Sequence, residues 1–178
     1  MILETEQLIL TTWQPSDWLA FRPIATDVEV MRYITGGVPW TDERIQQFVA
    51  RQVGWFAERG FCRWKLLIKP TEEMIGFCGV GFWGDPKELE IGWWLARSHW
   101  GRGLATEAAR TALKDAFERA GLERIVSIAR PANTASTRIM EKVGLQFECE
   151  FEEDGVRLVR YAIDRSRYLA SRESVDTK

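Results

Sequence analysis

Apolar positions recur at helical spacing in the second half of the chain, where they predict a long amphipathic helix. From Ala105 the apolar residues return every three or four positions as far as Ala120, and Gly121 then ends the stripe. Capping residues and terminal glycines mark the other helices. Together these signals predict helices over residues 105–120, 41–59 and 133–143, and a shorter one that begins at residues 15–17.

Strand patterns fill most of the remaining sequence. Residues 145–152, LQFECEFE, alternate strictly between apolar and polar side chains, and Asp154-Gly155 is a strong signal for a two-residue hairpin turn. The same reasoning predicts strands over residues 3–12, 61–69, 74–83, 88–96, 123–130, 145–152 and 156–164. Strands come first and then alternate with helices, which predicts a mixed α/β sheet with a parallel element in its middle.

Composition narrows the class of protein. The 178 residues fit one domain over residues 1–170, with a polar tail over residues 171–178. With 24 basic and 26 acidic residues the net charge is −2, so no overall positive field favours nucleic acid as a partner. No apolar run spans a bilayer and the start lacks a secretory signal, so we expect a cytoplasmic protein without a membrane partner. Three scattered cysteines and a single histidine argue against a metal site.

A glycine-containing turn, HWGRGLATEA at residues 99–108, separates a predicted strand from the long helix. The first N–H groups of a helix lack partners inside it and carry partial positive charge, so they favour an anion. Gly101 and Gly103 keep side chains away from these groups, and Arg102 adds positive charge. A tight turn that needs glycine for packing alone explains the same spacing.

Spacing excludes two familiar nucleotide-binding loops. The sequence contains no Gly-Lys-Ser/Thr, which excludes a P-loop. A dinucleotide fingerprint that begins at Gly101 meets Thr106 where a third small residue belongs, which weakens the alternative of a nucleotide-binding redox domain. Residues 97–142 carry nine Lys/Arg against five Asp/Glu, a local excess of four positive charges that favours an anionic ligand.

The segment from Glu90 to Leu145 resembles the core of the GNAT acetyltransferases, in particular their RimJ/RimL-like branch. The family's acetyl-CoA loop, Q/R-x-x-G-x-G/A, aligns with residues 100–105, and Thr106-Glu107-Ala108 follows as it commonly does in this branch. Trp100 replaces the Gln/Arg of the general pattern, which is usual within the branch. Farther along, Asn133, Ser136 and Arg138 match the branch's helix over the pantetheine arm of the cofactor.

This resemblance implies a single α/β (α+β) domain of the GNAT type. Its sheet would be bent and mostly antiparallel, with about seven strands, flanking helices and one splayed parallel pair, strands 88–96 and 123–130. Acetyl-CoA, as co-substrate, would enter the splay with its pyrophosphate on the amides of residues 102–106. The residues expected to hold it are Trp93, Trp94, Leu95, Gly101, Arg102, Gly103, Leu104, Ala105, Thr106, Asn133 and Arg138.

The resemblance also implies direct acetyl transfer to a primary amine, without an acyl-enzyme and without a metal. Backbone groups around Trp93 to Leu95 would polarise the thioester carbonyl. Glu90 is the candidate general base, and Ser136 is the candidate acid for the leaving thiolate. The simpler alternatives are a solvated strand carboxylate for Glu90 and a hydroxyl bonded to its own helix for Ser136. Cys149 lies in a predicted strand, and the pattern of that strand predicts a thiol in the core and not a nucleophile.

The acceptor amine is the least constrained part of the prediction. A peptide or protein N-terminal α-amine is the first choice, and the acidic residues over 148–154 offer an edge that could attract a cationic amine. A small-molecule amine acetyltransferase, acting on an antibiotic or a polyamine, and a non-catalytic acyl-CoA-binding module are the alternatives. The oligomeric state, monomer or homodimer, stays open.

Overall fold

The structure is a computed structural model that describes residues 1–84 and 88–173. It contains eight strands: β1 (Ile2–Glu4), β2 (Leu8–Thr11), β3 (Arg63–Ile68), β4 (Glu73–Trp83), β5 (Glu88–Leu95), β6 (Arg124–Ala129), β7 (Gln146–Glu153) and β8 (Val156–Asp164). The α-helices are α1 (Trp18–Ala25), α2 (Val28–Met31), α3 (Asp42–Arg59), α4 (Leu104–Lys114), α5 (Thr134–Lys142) and α6 (Arg165–Glu173).

The eight strands form one sheet in the order β1-β2-β3-β4-β5-β6-β8-β7. Every neighbouring pair is antiparallel except β5 and β6, which confirms the predicted mixed sheet with one parallel pair. The sheet has one strand more than predicted, because the stretch predicted as a single strand over residues 3–12 folds back on itself as the β1–β2 hairpin.

An aromatic cluster joins α1 and α3 to the sheet. Phe21 of α1 stacks on Phe48 of α3 with 5.4 Å between ring centroids. Phe48 lies 5.2 Å from Phe77 of β4, and Phe77 lies 5.1 Å from Trp94 of β5. Aromatic pairs at these distances add to the free energy of burying their surfaces. The cluster therefore fixes α3 beside the strand that carries the candidate base.

Helix α4 ends earlier than its apolar stripe predicts. The stripe continues through a π-type turn over Asp115–Arg119, closed by a hydrogen bond from the Ala120 N–H to the Asp115 carbonyl. The buried Asp115 carboxylate accepts two hydrogen bonds from Arg119, at 2.5 and 2.7 Å. The ion pair joins the first and last residues of this wider turn, where the sequence pattern indicated regular helix.

The C-terminal part differs from the sequence interpretation in two ways. Cys149, predicted as a core thiol, is exposed, because β7 is the edge strand and an irregularity between Phe147 and Cys149 shifts its register. Helix α6 was not predicted, and it continues to Glu173, past the predicted start of the polar tail at residue 171. Residues 174–178 of that tail lie outside the described residues.

Candidate active site

A cavity of about 530 Å³ opens where β5 and β6 part. Glu90 and Val126 are the one residue pair in register between these strands among the described residues. Every residue predicted to bind acetyl-CoA or to take part in catalysis lines this cavity: Glu90, Trp93, Trp94, Leu95, Gly101, Arg102, Gly103, Leu104, Ala105, Thr106, Asn133, Ser136 and Arg138. The fold thus brings together residues that are up to 48 positions apart in the sequence.

The turn before α4 exposes helix N–H groups to the cavity. Gly101 and Gly103 have φ values of +73° and +78°, a region that favours glycine, so the turn itself requires both residues. A Cβ atom at either position would meet nothing within 4 Å, so the space in front of them is open. Gly103 is the N-cap and supplies no side-chain cap, and the first helical bond runs from Glu107 N to Gly103 O. The N–H groups of residues 104–106 therefore lack intrahelical partners.

Trp100 anchors this turn to β5. Its side chain is 47% exposed, yet its Nε1 donates a 2.8 Å hydrogen bond to the Leu95 carbonyl oxygen. An indole N–H held in this way fixes the path of the chain from the end of the strand to the first glycine. Trp100 occupies the position where the general family pattern has Gln or Arg.

The charged side chains of the cavity are unevenly distributed. Four cations line it, and two of them, Arg130 and Lys142, were not among the predicted site residues; the four are Arg102, Arg130, Arg138 and Lys142. The acidic side chains that line it are Glu29, which lies 3.7 Å from Arg32, and Glu90, which pairs with Arg63. The cavity can therefore hold a polyanion near the glycine turn and α5.

Ser127 joins β6 to β5 where the two strands begin to separate, and the sequence interpretation did not predict this role. Its buried hydroxyl donates a 2.9 Å hydrogen bond to the Ile91 carbonyl oxygen on β5. Successive backbone groups of a strand point to opposite edges, so the Trp93 N–H and C=O point to the same edge as the Ile91 carbonyl. The strand β6 does not pair with Trp93, which leaves this edge facing the cavity. A lone polar residue in the apolar run over residues 125–129 was the available signal.

Glu90 is buried and ion-paired, which excludes the alternative of a solvated carboxylate. Its Oε2 accepts a hydrogen bond from Arg63 of β3, and the two side chains are only 13% and 12% exposed. Burial raises the pKa of Glu90 above its usual value, and the Arg63 guanidinium opposes part of that rise. A carboxyl group with a raised pKa is suited to accept a proton near neutral pH. Arg63 was not predicted, because nothing in the sequence places it opposite Glu90.

A glycine on β4 leaves room for the Arg63–Glu90 ion pair. Gly81 lies directly opposite Glu90 in the β4–β5 register. A Cβ atom at Gly81 would come within 2.6 Å of Arg63 Nη1 and 2.7 Å of the Trp55 ring. The guanidinium therefore lies between the sheet and α3, over a backbone that only glycine leaves open.

Helix α5 presents its first turn to the cavity. The Asn133 side chain caps this helix by accepting a 3.3 Å hydrogen bond from Ser136 N, which confirms its predicted role as N-cap. The Ser136 hydroxyl makes no hydrogen bond to the protein in the described part of the chain, whereas Thr137 Oγ1 donates to Thr134 O at 3.2 Å. The alternative of a Ser136 hydroxyl bonded to its own helix is therefore wrong. Arg138 is exposed and lines the cavity.

Two of the five acidic residues at the predicted acidic edge pair with arginines. Glu148 pairs with both Arg124 and Arg160, and Glu150 pairs with Arg157 at 2.6 Å.

Within residues 1–84 and 88–173, no cluster of three or more potential metal ligands occurs. Over the same ranges, no helix has the length and apolar character needed to cross a membrane.

Comparison with known proteins assigns the family. Residues 7–146 match the family model of the acetyltransferase (GNAT) domain. The chain is 29% identical over 153 residues to YnaD, an uncharacterized N-acetyltransferase of Bacillus subtilis (strain 168), an alignment that covers 86% of this chain and 87% of YnaD. It is 30% identical over 148 residues to N-acetyltransferase p20 of Bacillus licheniformis, with 82% and 83% of the two chains covered.

Solved structures share the fold. A GNAT-family acetyltransferase from Bacillus anthracis superposes with a TM-score of 0.78 at 28% identity, over 93% of this chain and 99% of that one. RimL, a ribosomal L7/L12 α-N-protein acetyltransferase solved with coenzyme A, superposes with a TM-score of 0.75 at 19% identity, over 92% and 98%. The GNAT fold uses acetyl-CoA as the acetyl donor. The chain therefore belongs to the GNAT acetyltransferases and is an N-acetyltransferase.

Proposed function

We propose that this N-acetyltransferase moves the acetyl group of acetyl-CoA directly to the α-amine of a peptide or protein N-terminus. One observation carries the proposal: a single cavity is lined by the uncapped start of α4, the free Ser136 hydroxyl and the buried Glu90 carboxylate. These groups supply an anion site, a proton donor and a proton acceptor.

The residues around the glycine turn fit acetyl-CoA. Its pyrophosphate would accept hydrogen bonds from the N–H groups of residues 102–106, in a turn whose two glycines have open space beside them. Arg102 and Arg138 would add positive charge to the same region. The backbone of residues 93–95 and the Asn133 side chain would hold the pantetheine arm. Bound there, acetyl-CoA supplies a thioester whose carbonyl carbon is open to attack by an amine.

Glu90 and Ser136 would manage the protons of the reaction. Glu90 would accept a proton from the acceptor ammonium, directly or through one water, so that a neutral amine is formed inside the cavity. The Trp93 N–H lies on the edge of β5 that faces the cavity and would stabilise negative charge on the thioester oxygen. Ser136 would pass the proton that the amine nitrogen loses after attack on to the leaving sulfur, and would itself end as a neutral hydroxyl; in the described structure no protein group competes for its hydroxyl proton.

The preference for an α-amine follows from acidity. An α-amine has a pKa of about 7.7–8.0, whereas a lysine side chain has a pKa of about 10.4. Deprotonating lysine near pH 7 therefore costs about 3 kcal/mol more, which favours the α-amine by more than about a hundredfold. A single carboxylate base restrained by an arginine does little to offset that difference.

Reaction of acetyl-CoA with a lysine-containing peptide that has a free N-terminus tests the proposal. Mass spectrometry after limited turnover would locate the acetyl group, and we expect it on the N-terminal nitrogen. The same peptide with a blocked N-terminus is the matched control and should remain almost unmodified. Modification mainly on lysine, or only of small amines such as polyamines, would reject the α-amine assignment. Binding of acetyl-CoA without any turnover would favour the non-catalytic acyl-CoA-binding module.

A further inference from the structure

A row of three arginines lies where α3 meets the sheet, and two of them have no part in the catalytic proposal. The row consists of Arg44 and Arg51 of α3 and Arg63 of β3. Arg44, Arg51 and Trp55 are seven and four positions apart, so they share one flank of α3. The buried positions of the helix, including Phe48 and Gln52, face the core instead. The flank with the arginines therefore borders the sheet where Arg63 emerges.

One end of the row contacts a residue that lines the cavity, and the other end is connected to the cavity through Trp40. At one end the Arg44 guanidinium lies 4.5 Å from the centroid of the Trp40 ring, and Trp40 lies 4.6 Å from Trp94. At the other end Arg63 is bound to Glu90 and lies 6.0 Å from the Trp55 ring. Because Trp94 and Glu90 both line the cavity, the row runs beside the space that an acceptor would occupy.

Two of these guanidinium groups have no acidic partner. Among the residues that the structure describes, neither Arg44 nor Arg51 forms an ion pair, although most other arginines of the sheet and its edge do. Partial burial and the neighbouring guanidiniums of Arg63 and Arg44 lower the pKa of Arg51. Positive charge therefore accumulates here without compensation, in a chain whose net charge is −2.

The indole of Trp40, beside Arg44, has an N–H group without a hydrogen-bond partner in the described structure. Trp40 is only 9% exposed, and its Nε1 has no hydrogen-bond partner in the described part of the structure. A buried indole N–H without a partner costs free energy. Arg44, which lies over the Trp40 ring, and Arg51 offer donors only, and a carboxylate is a group that can accept from both.

We propose that the arginine row binds a carboxylate of the acceptor, carried within one or two residues of the amine that is acetylated. The inference rests on the proposed amine acetyltransferase function and adds the substrate class. Neighbouring Cα atoms are ~3.8 Å apart, so a carboxylate on the second residue of a peptide lies within reach of the row while the amine lies near Glu90. The α-carboxylate of a free amino acid has the same chemistry at a shorter distance.

Matched acceptors test this inference. One pair is two peptide amides that begin Ala-Glu and Ala-Gln and are otherwise identical; the second pair is alanine and alaninamide. Rates are calculated per neutral amine, because the ammonium of alanine is less acidic than that of alaninamide. On that basis we expect kcat/KM to be about fivefold to tenfold higher for the acidic member of one pair, as expected for one or two partly exposed ion pairs. The difference should shrink as ionic strength rises. A preference within the first pair identifies acidic peptides, and a preference within the second identifies amino acids.

Charge-removing variants connect the preference to the row. In Arg44→Gln, Arg51→Gln and the double variant, the acidic-to-neutral ratio should fall toward one. Arg167→Gln on α6 removes the same charge at an exposed position remote from the cavity and should leave the ratio unchanged. Equal rates within both pairs, or a ratio that survives the double variant, would overturn the inference and leave the transferase function standing. Absence of turnover with every acceptor would instead reject the proposed function, and this inference with it.

Discussion

The Ser127 hydroxyl donates a 2.9 Å hydrogen bond to the Ile91 carbonyl oxygen, one residue beyond the point where β5 and β6 are in register. The bond engages the Ile91 carbonyl where β5 and β6 begin to separate, so it fixes the position from which the two strands diverge. A buried carbonyl that loses its partner costs about 1–3 kcal/mol.

Ser127→Ala should therefore lower the free energy of unfolding by about 1–2 kcal/mol and raise KM for acetyl-CoA. Urea denaturation and steady-state kinetics measure the two effects. Ser166→Ala on α6, where the serine is exposed, serves as the control and should change neither. If Ser127→Ala kept its affinity for acetyl-CoA while losing stability, the bond would be structural and would not shape the cavity.

The glycine turn provides a test with a matched backbone control. Gly103 and Gly121 both have left-handed φ values, +78° and +65°, and a Cβ atom on either would meet nothing within 4 Å. Replacing each with glutamate therefore adds the same charge and a similar backbone strain of about 1–2 kcal/mol. We expect Gly103→Glu to abolish acetyl-CoA binding in calorimetry, because its carboxylate repels the pyrophosphate, and Gly121→Glu to bind normally. Equal affinities for the two variants would disprove the cofactor assignment.

The Arg63–Glu90 pair predicts a specific pH dependence. Glu90→Gln should lower turnover by about 10²–10⁴-fold, since the amide accepts no proton. Burial raises the pKa of Glu90 and Arg63 opposes the rise, so Arg63→Met should raise that pKa further. A base must be deprotonated to act, and the acidic limb of the kcat/KM profile should accordingly move to higher pH.

Arg63→Lys keeps a positive charge and should restore most of the original profile. Comparing Arg63→Met with Arg63→Lys separates positioning and charge effects from a simple folding defect. Unfolding lowers the rate but does not move the acidic limb of the kcat/KM profile. A limb that stays in place in Arg63→Met would assign the titration to a group other than Glu90.

Glu107 connects α4 to the first hairpin and gives a prediction for stability. Its two carboxylate oxygens accept hydrogen bonds from Gln7 N at 2.9 Å and Gln7 Nε2 at 2.8 Å. Partial burial alone would raise the pKa of Glu107, but the nearby Thr5 hydroxyl and the hydrogen bonds from Gln7 outweigh burial and lower it. The stabilisation is therefore present above the usual pKa of glutamate and is lost as pH falls through the lowered value.

Glu107→Gln should lower the free energy of unfolding by about 1 kcal/mol at neutral pH, because its amide nitrogen cannot accept the second hydrogen bond. The two proteins should converge in stability as the solution is acidified through the lowered pKa. Urea denaturation at several pH values measures this. A difference that stayed constant with pH would show that packing, and not the charge, is responsible.

Local signals explain why most helices and the last hairpin were predictable. Thr41 accepts a hydrogen bond from Arg44 N, and Asn133 accepts one from Ser136 N, so both caps act within three residues of sequence. The Asp154-Gly155 turn likewise joins β7 to β8 as predicted. Such contacts are encoded by spacing alone, which also placed the glycine turn and the first turn of α5.

The features that the sequence did not predict depend mostly on contacts between distant parts of the chain. Arg63 and Glu90 are 27 positions apart, and Ser127 and Ile91 are 36 apart; each pair meets only through strand order and register. The β1–β2 turn has no glycine or proline to mark it. It is stabilised instead by Thr5, whose Oγ1 donates to Leu8 O at 3.2 Å and accepts from Leu8 N at 2.8 Å.

The exposure of Cys149 has a practical consequence for measuring this enzyme. Burial raises the pKa of Cys62 to about 12 and raises that of Cys78 as well, so these two thiols stay protonated and shielded. Thiol-reactive dyes that count released CoA will therefore also label Cys149 on the edge strand, and give a rapid signal before any turnover. Cys149→Ser removes that background, and the native residue offers a single attachment point for a fluorophore on β7.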